Sequence, residues 1–60
     1  MNKEEFWTRL QVMGMTVREF SERTQIPLRT VYSYLKGERR IPDYLEILLK
    51  QIEDEWNDPV

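Results

Sequence analysis

Between Leu28 and Arg40 the chain reads LRTVYSYLKGERR. Arg29, Tyr32, Ser33 and Lys36 are spaced so that, at roughly 100° per residue, they share one face of a helix. The row holds a guanidinium fork, a phenol, a hydroxyl and an ammonium, all able to donate hydrogen bonds. Arg29 can donate a bidentate fork to O6 and N7 of guanine, worth about 1 to 3 kcal/mol of base discrimination. Tyr32, Ser33 and Lys36 can add hydrogen bonds beside it. Leu28, at the edge of the row, offers apolar contact alone, for instance to a thymine methyl. Arg39 and Arg40 follow in the next loop, placed to hold phosphates and so to set register without reading sequence. The bland alternative for each cation is a solvated surface charge, and for Tyr32 a core aromatic.

No other chemistry competes with this row. The chain has 60 residues, no Cys and no His, which removes disulfides, thiol nucleophiles and the usual zinc ligands. No base, nucleophile and orienting group converge, so an enzyme is not expected, and catalytic residues, metal and cofactor are all expected to be none. A chain of this length buries only about 60% of its unfolded surface, enough for one small domain over 1–60. No apolar run approaches the roughly 20 residues of a membrane span, and the N-terminal MNKEEFW lacks a signal-peptide profile. A cytoplasmic protein without a membrane partner is the expectation.

Charge is polarised along the sequence. The formal net charge is −2, which on its own opposes binding to a polyanion. Residues 16–40, however, carry Arg18, Arg23, Arg29, Lys36, Arg39 and Arg40 against Glu19, Glu22 and Glu38, for a local excess of +3. Residues 41–60 carry Lys50 against Asp43, Glu46, Glu53, Asp54, Glu55 and Asp58, for −5. Basic residues therefore gather around the candidate row, and the acidic ones belong mostly to a last helix expected to face away.

The elements that position the row are all helical. Asn2 with Glu5 reads as a capping box ahead of Phe6, Leu10 and Met13, with Gly14 as a left-handed stop. Thr16 with Glu19 repeats the box for a second helix, whose inner face is Val17, Phe20, Ser21 and Thr24; the small Ser21 and Thr24 allow close approach of another helix. Gln25 and Ile26 leave room only for a tight turn, and Pro27 suits the first turn of a third helix over about 27–36. There Val31, Tyr34 and Leu35 face inward, opposite the candidate row, and Gly37 ends the helix. Asp43 with Glu46, after Pro42, repeats the box once more. Leu45, Leu48, Leu49, Ile52 and Trp56 then form one apolar stripe, expected to be core, and residues 57–60 read as a frayed tail.

The segment TVREFSERTQIPLRTVYSYLKGERRIP resembles the helix-turn-helix of the phage repressor and Cro (Xre-type) DNA-binding family. Phe20, Ser21, Ile26, Val31 and Tyr34 fall where that motif, about 16–36 here, places apolar and small residues. The likeness extends through the flanking helices to nearly the whole chain. It implies a compact, all-α, four-helix domain of the lambda-repressor-like type, acting in transcription regulation, as a phage or prokaryotic repressor does, on double-stranded DNA. In the family the third helix enters the major groove, which assigns base reading to Leu28, Arg29, Tyr32, Ser33 and Lys36. Phosphate binding falls to Arg39 and Arg40 and to the backbone amides at Thr16 and Val17, where a helix begins. The chain departs from the family pattern at Gln25, where glycine is usual, at Val17, where a phosphate-reaching Gln is common, and at Leu28, where a polar residue is common.

One recognition helix covers few base pairs, and the family commonly pairs two copies on a two-fold site. A homodimer is therefore expected, with Tyr44, Ile47 and Gln51, off the core stripe of the last helix, as the contact. A function of a different class fits the same fold: a protein-interaction module, such as an antirepressor or inhibitor, whose partner is another protein rather than DNA. The acidic C-terminal helix and Val17 favour that alternative; the outward row on the third helix favours DNA.

Overall fold

The computed structural model describes residues 1–56, so the expected fraying of 57–60 lies outside the described residues. Its described part is all-α, with four helices and no strands: α1 (Lys3–Met13), α2 (Val17–Thr24), α3 (Leu28–Lys36) and α4 (Asp43–Trp56). None of these helices is long and apolar enough to cross a membrane.

Each helix boundary has a chemical cause. Asn2 caps α1 by accepting the Glu5 N–H at 2.7 Å, and Glu4 and Glu5 place negative charge at the positive end of the helix. At Thr16 the capping box is complete: the Thr16 hydroxyl accepts the Glu19 N–H, and the Glu19 carboxylate accepts the Thr16 N–H, both at 3.1 Å. Gly14 (φ 71°) and Gly37 (φ 80°) are left-handed and close α1 and α3 with paired bonds to the last turn. Met15 N–H reaches Leu10 O at 3.0 Å in the first case, and Glu38 N–H reaches Ser33 O at 3.0 Å in the second.

Two boundaries differ from expectation. Pro27 is extended (ψ 139°) and precedes α3 rather than lying in its first turn, so the helix spans Leu28–Lys36 and not 27–36. Its carbonyl accepts the Thr30 and Val31 N–H groups at 2.9 and 3.1 Å. Asp43 lies within the first turn of α4 instead of capping it; Pro42 comes first, and its carbonyl accepts the Leu45 N–H at 3.0 Å.

The core joins all four helices. Phe6 and Phe20 meet edge to face with centroids 5.2 Å apart, a favoured aromatic geometry. Around them are buried Leu10, Met13, Val31, Tyr34, Leu45, Leu49 and Ile52. Met15 and Ile41, not assigned from the sequence, are buried too. Met15 sits just past the Gly14 stop, where an apolar residue folds back onto the last turn of the helix, here onto Leu10. Leu48 is only half-buried against this core. Trp56 corrects an expectation: it is 37% exposed rather than core. Its indole N–H donates to Met13 O at 2.6 Å, and Arg23 lies over its ring at 5.6 Å, so the polar edge holds the side chain at the rim.

Candidate nucleic-acid interface

The turn between α2 and α3 is locked by side chains. Ser21 Oγ donates to Ile26 O at 2.6 Å and Thr24 Oγ1 donates to Phe20 O at 2.8 Å, while Ile26 N–H donates to Thr24 Oγ1 at 3.3 Å. Gln25 takes the left-handed conformation at φ 64° and its N–H reaches Ser21 O at 2.8 Å. A glycine would adopt this backbone without cost; here a hydroxyl network fixes the turn around a non-glycine residue. Ser21 and Thr24 therefore do more than leave space for a neighbour. The result is α3 packed against both α1 and α2, with Val31 and Tyr34 buried and its opposite face open.

On that open face the expected row is brought together. Arg29, Tyr32, Ser33 and Lys36 line one surface recess of about 370 Å³. Tyr32 is 46% exposed, which places it on the surface and not in the core, and Leu28 is exposed at the N-terminal end of the same helix. Ser33 Oγ donates to Arg29 O at 3.1 Å, so its proton is engaged and its lone pairs remain as acceptors. Glu38, absent from the sequence-derived set, also lines the recess. It is carried there by the Gly37 stop, where the Glu38 N–H bond to Ser33 O turns the chain back over α3. The face thus offers strong donors at Arg29 and Lys36 beside acceptors at Ser33 and Glu38.

Ion pairing separates the cations into two groups. Arg9 reaches Glu5 at 3.6 Å, Glu46 at 3.8 Å and, through Nε, Glu53 at 3.1 Å. Arg18 pairs with Glu22 at 3.7 Å and Arg23 with Glu55 at 2.9 Å. Arg18 and Arg23, part of the basic stretch by sequence, are thereby neutralised. By contrast Lys3, Arg29, Lys36, Arg39, Arg40 and Lys50 form no ion pair among the described residues. Apart from Lys3 on α1 and Lys50 on α4, these lie on α3 or in the loop that follows it.

Arg39 and Arg40 line a second recess, of about 220 Å³, with Lys3 and Tyr34. The Tyr34 phenol is held above its ordinary range by burial and by a hydrogen bond with Tyr44, with Arg39 acting in the opposite direction. The start of α2 is differently occupied. The Thr16 N–H already binds the Glu19 carboxylate, so a phosphate there must displace an internal anion, and Val17 beside it is half-buried. On α4, Tyr44 and Ile47 are 55% and 62% exposed, and Gln51 is exposed with them. Comparison of the chain with models of known protein families, with characterised proteins and with solved structures finds no match.

Proposed function

We propose that the chain is a sequence-specific double-stranded DNA-binding regulator of the helix-turn-helix type, with α3 docked in the major groove. The observation that carries this reading is the segregation of cations: Arg9 and Arg23 tie helices together through carboxylates of α4 and Arg18 pairs within α2, while Arg29, Lys36, Arg39 and Arg40 stand unpaired on α3 and the loop after it. A locked turn holding α3 against α2 supports the same conclusion, because base reading requires a rigidly presented helix. Arg29 donates to guanine; Lys36 donates to a base or phosphate; Ser33 and Glu38 accept from the exocyclic amine of cytosine or adenine. Arg39 and Arg40 hold phosphates.

Two copies act together on a two-fold site, through Tyr44, Ile47 and Gln51 on α4. Selection from a random duplex pool tests the proposal: enrichment of a two-fold symmetric sequence is expected, and Arg29→Ala should weaken binding to it by about 1 to 3 kcal/mol while relaxing preference at one base pair. No enrichment over the starting pool, with the protein folded, refutes it. The second reading, a protein-interaction module, draws on exposed Leu28 and Tyr32 beside the cations and on the internal anion at Thr16. Failure of the selection would transfer the same face to a protein partner.

A further inference from the structure

The recess formed by Met1, Asn2, Lys3, Tyr34, Gly37, Arg39, Arg40 and Ile41 joins the start of α1 to the loop after α3. Three of the side chains that line it, Lys3, Arg39 and Arg40, are pure donors. Lys3, Arg39 and Arg40 make no ion pair among the described residues, and no carboxylate lines the recess. Asn2 turns its side-chain oxygen onto the Glu5 N–H, which leaves its amide N–H groups as donors. Gly37 has a steric role here besides its left-handed backbone: a Cβ at this position would lie 3.1 Å from Lys3 Nζ and 3.2 Å from Lys3 Cδ. The Lys3 side chain therefore crosses the end of α3 over the bare glycine, bringing an α1 ammonium beside two guanidinium groups from the loop. Arg39 lines the recess beside the buried Tyr34.

We infer that this recess is a binding pocket for a single phosphate group, with Lys3, Arg39 and Arg40 as its cations. Two guanidinium forks match pairs of phosphate oxygens and the ammonium supplies a point charge. An acidic chain leaves three cations uncompensated around one concavity, and a bound dianion or phosphodiester relieves their mutual repulsion. That the phosphate belongs to DNA rests on the function proposed above; the affinity of the pocket for phosphate does not. In the DNA complex the pocket takes a backbone phosphodiester beside the groove occupied by α3, and Lys3 makes α1 part of the interface.

Two measurements on the full chain test this. Inorganic phosphate is titrated against chloride at constant ionic strength, following the Gly37 amide and the arginine Nε–H signals by NMR, for the parent and for Lys3→Met, which keeps the apolar stem and removes the charge. Phosphate-specific shifts confined to Gly37, Arg39 and Arg40, weakened roughly tenfold by Lys3→Met through loss of one charge-assisted contact, are expected. On duplex DNA the same variant should make the slope of log affinity against log salt shallower by about 1 per protomer, with sequence preference unchanged. Phosphate shifts with an unchanged DNA slope, or with no DNA binding at all, keep the pocket and assign it to a free phosphomonoester, and in the latter case it is the DNA reading that falls. Absence of phosphate-specific shifts, or shifts of equal size in Lys3→Met, overturns the pocket.

Discussion

Replacing Arg39 and Arg40 together by alanine separates positioning from reading. Neither arginine has an acidic partner to leave unpaired, so the change should remove phosphate contacts without opening an internal charge. Each phosphate contact contributes about 0.9 to the slope of log affinity against log salt, so a dimer that loses four of them should lose about 3.6 from its slope. Between about 50 and 200 mM salt one contact is then worth a factor of about 3.5, and four a factor of about 150. The parent should therefore weaken about 150-fold more than the variant across that interval, and the two should converge as salt rises. Fluorescence anisotropy on a preferred duplex and on a scrambled one of equal length gives both slopes, and the ratio between the duplexes should stay constant. Arg40→Ala alone is the control, since Arg39 shares its recess with the buried Tyr34, whose phenol it pulls toward lower pKa; it should give half the change in slope. A changed duplex ratio with an unchanged slope would show that these arginines read bases, and the assignment would be wrong.

Three further outcomes follow from the same geometry. Gln25→Gly should stabilise the fold by up to about 1 kcal/mol, because relief of a left-handed side chain slightly outweighs the extra freedom of glycine in the unfolded chain; thermal unfolding should rise by a few degrees, and a fall would mean that the Gln25 side chain contributes a contact of its own. Arg9→Met should cost about 1 to 2 kcal/mol, since it breaks a half-buried, charge-assisted link between α1 and α4. The Arg9 hydrogen bond holds the Glu53 carboxyl below its usual value, so in the parent this stabilisation is complete above the unfolded glutamate range and lost as pH falls through the folded value; the variant should show a flatter acid loss in denaturant titrations, and equal acid profiles would refute the link. Ile47→Glu should leave the monomer folded, reduce self-association in sedimentation, and lower affinity for a full two-fold site far more than for a half site. Unchanged mass with equal binding to both would remove Tyr44, Ile47 and Gln51 from the assembly.

The parts of this fold that sequence discloses are those with local causes. Asn2 with Glu5 and Thr16 with Glu19 lie within a single helical turn, and Gly14 and Gly37 stop helices by their own backbone preference. The candidate row on α3 is equally local, because helical spacing alone puts Arg29, Tyr32, Ser33 and Lys36 together. What periodicity misses is set by the chain folding back on itself. Ile41, between a basic pair and a proline, is buried because its loop returns to the core. Trp56 fits the α4 stripe by spacing, yet its N–H finds Met13 O and it stops at the rim. Glu38 joins the open face of α3 through the Gly37 turn, and Lys3 comes beside Arg39 and Arg40 from the far end of the sequence. The tethering of Arg9 to Glu53 and of Arg23 to Glu55 spans 44 and 32 positions, beyond the reach of any local pattern.

Those long-range pairs also account for how an acidic chain presents a basic face. Formal charge counts Arg9, Arg18 and Arg23 alongside Arg29 and Arg39, but the first three are each matched by carboxylates within 4.0 Å, and their field falls off as that of a dipole. Glu46, Glu53 and Glu55 of α4 are consumed in the same contacts. The acidic excess therefore has a structural use, pinning α4 to α1 and α2, and among the described residues it leaves Arg29, Lys36, Arg39 and Arg40 unpaired on α3 and its loop, with Lys3 and Lys50 unpaired elsewhere. At ordinary ionic strength, charges more than about 10 Å apart are largely screened. A phosphate at the α3 surface therefore responds to Arg29, Lys36, Arg39 and Arg40 more than to the net charge of −2. For the proposed DNA-binding function the consequence is directional: weak long-range attraction lowers non-specific affinity, while close docking still gains the full set of local contacts. A protein built this way discriminates by suppressing the background rather than by strengthening the site, and its ratio of specific to non-specific binding should exceed that of a variant in which Asp43 and Asp54, exposed on α4 outside these pairs, are neutralised.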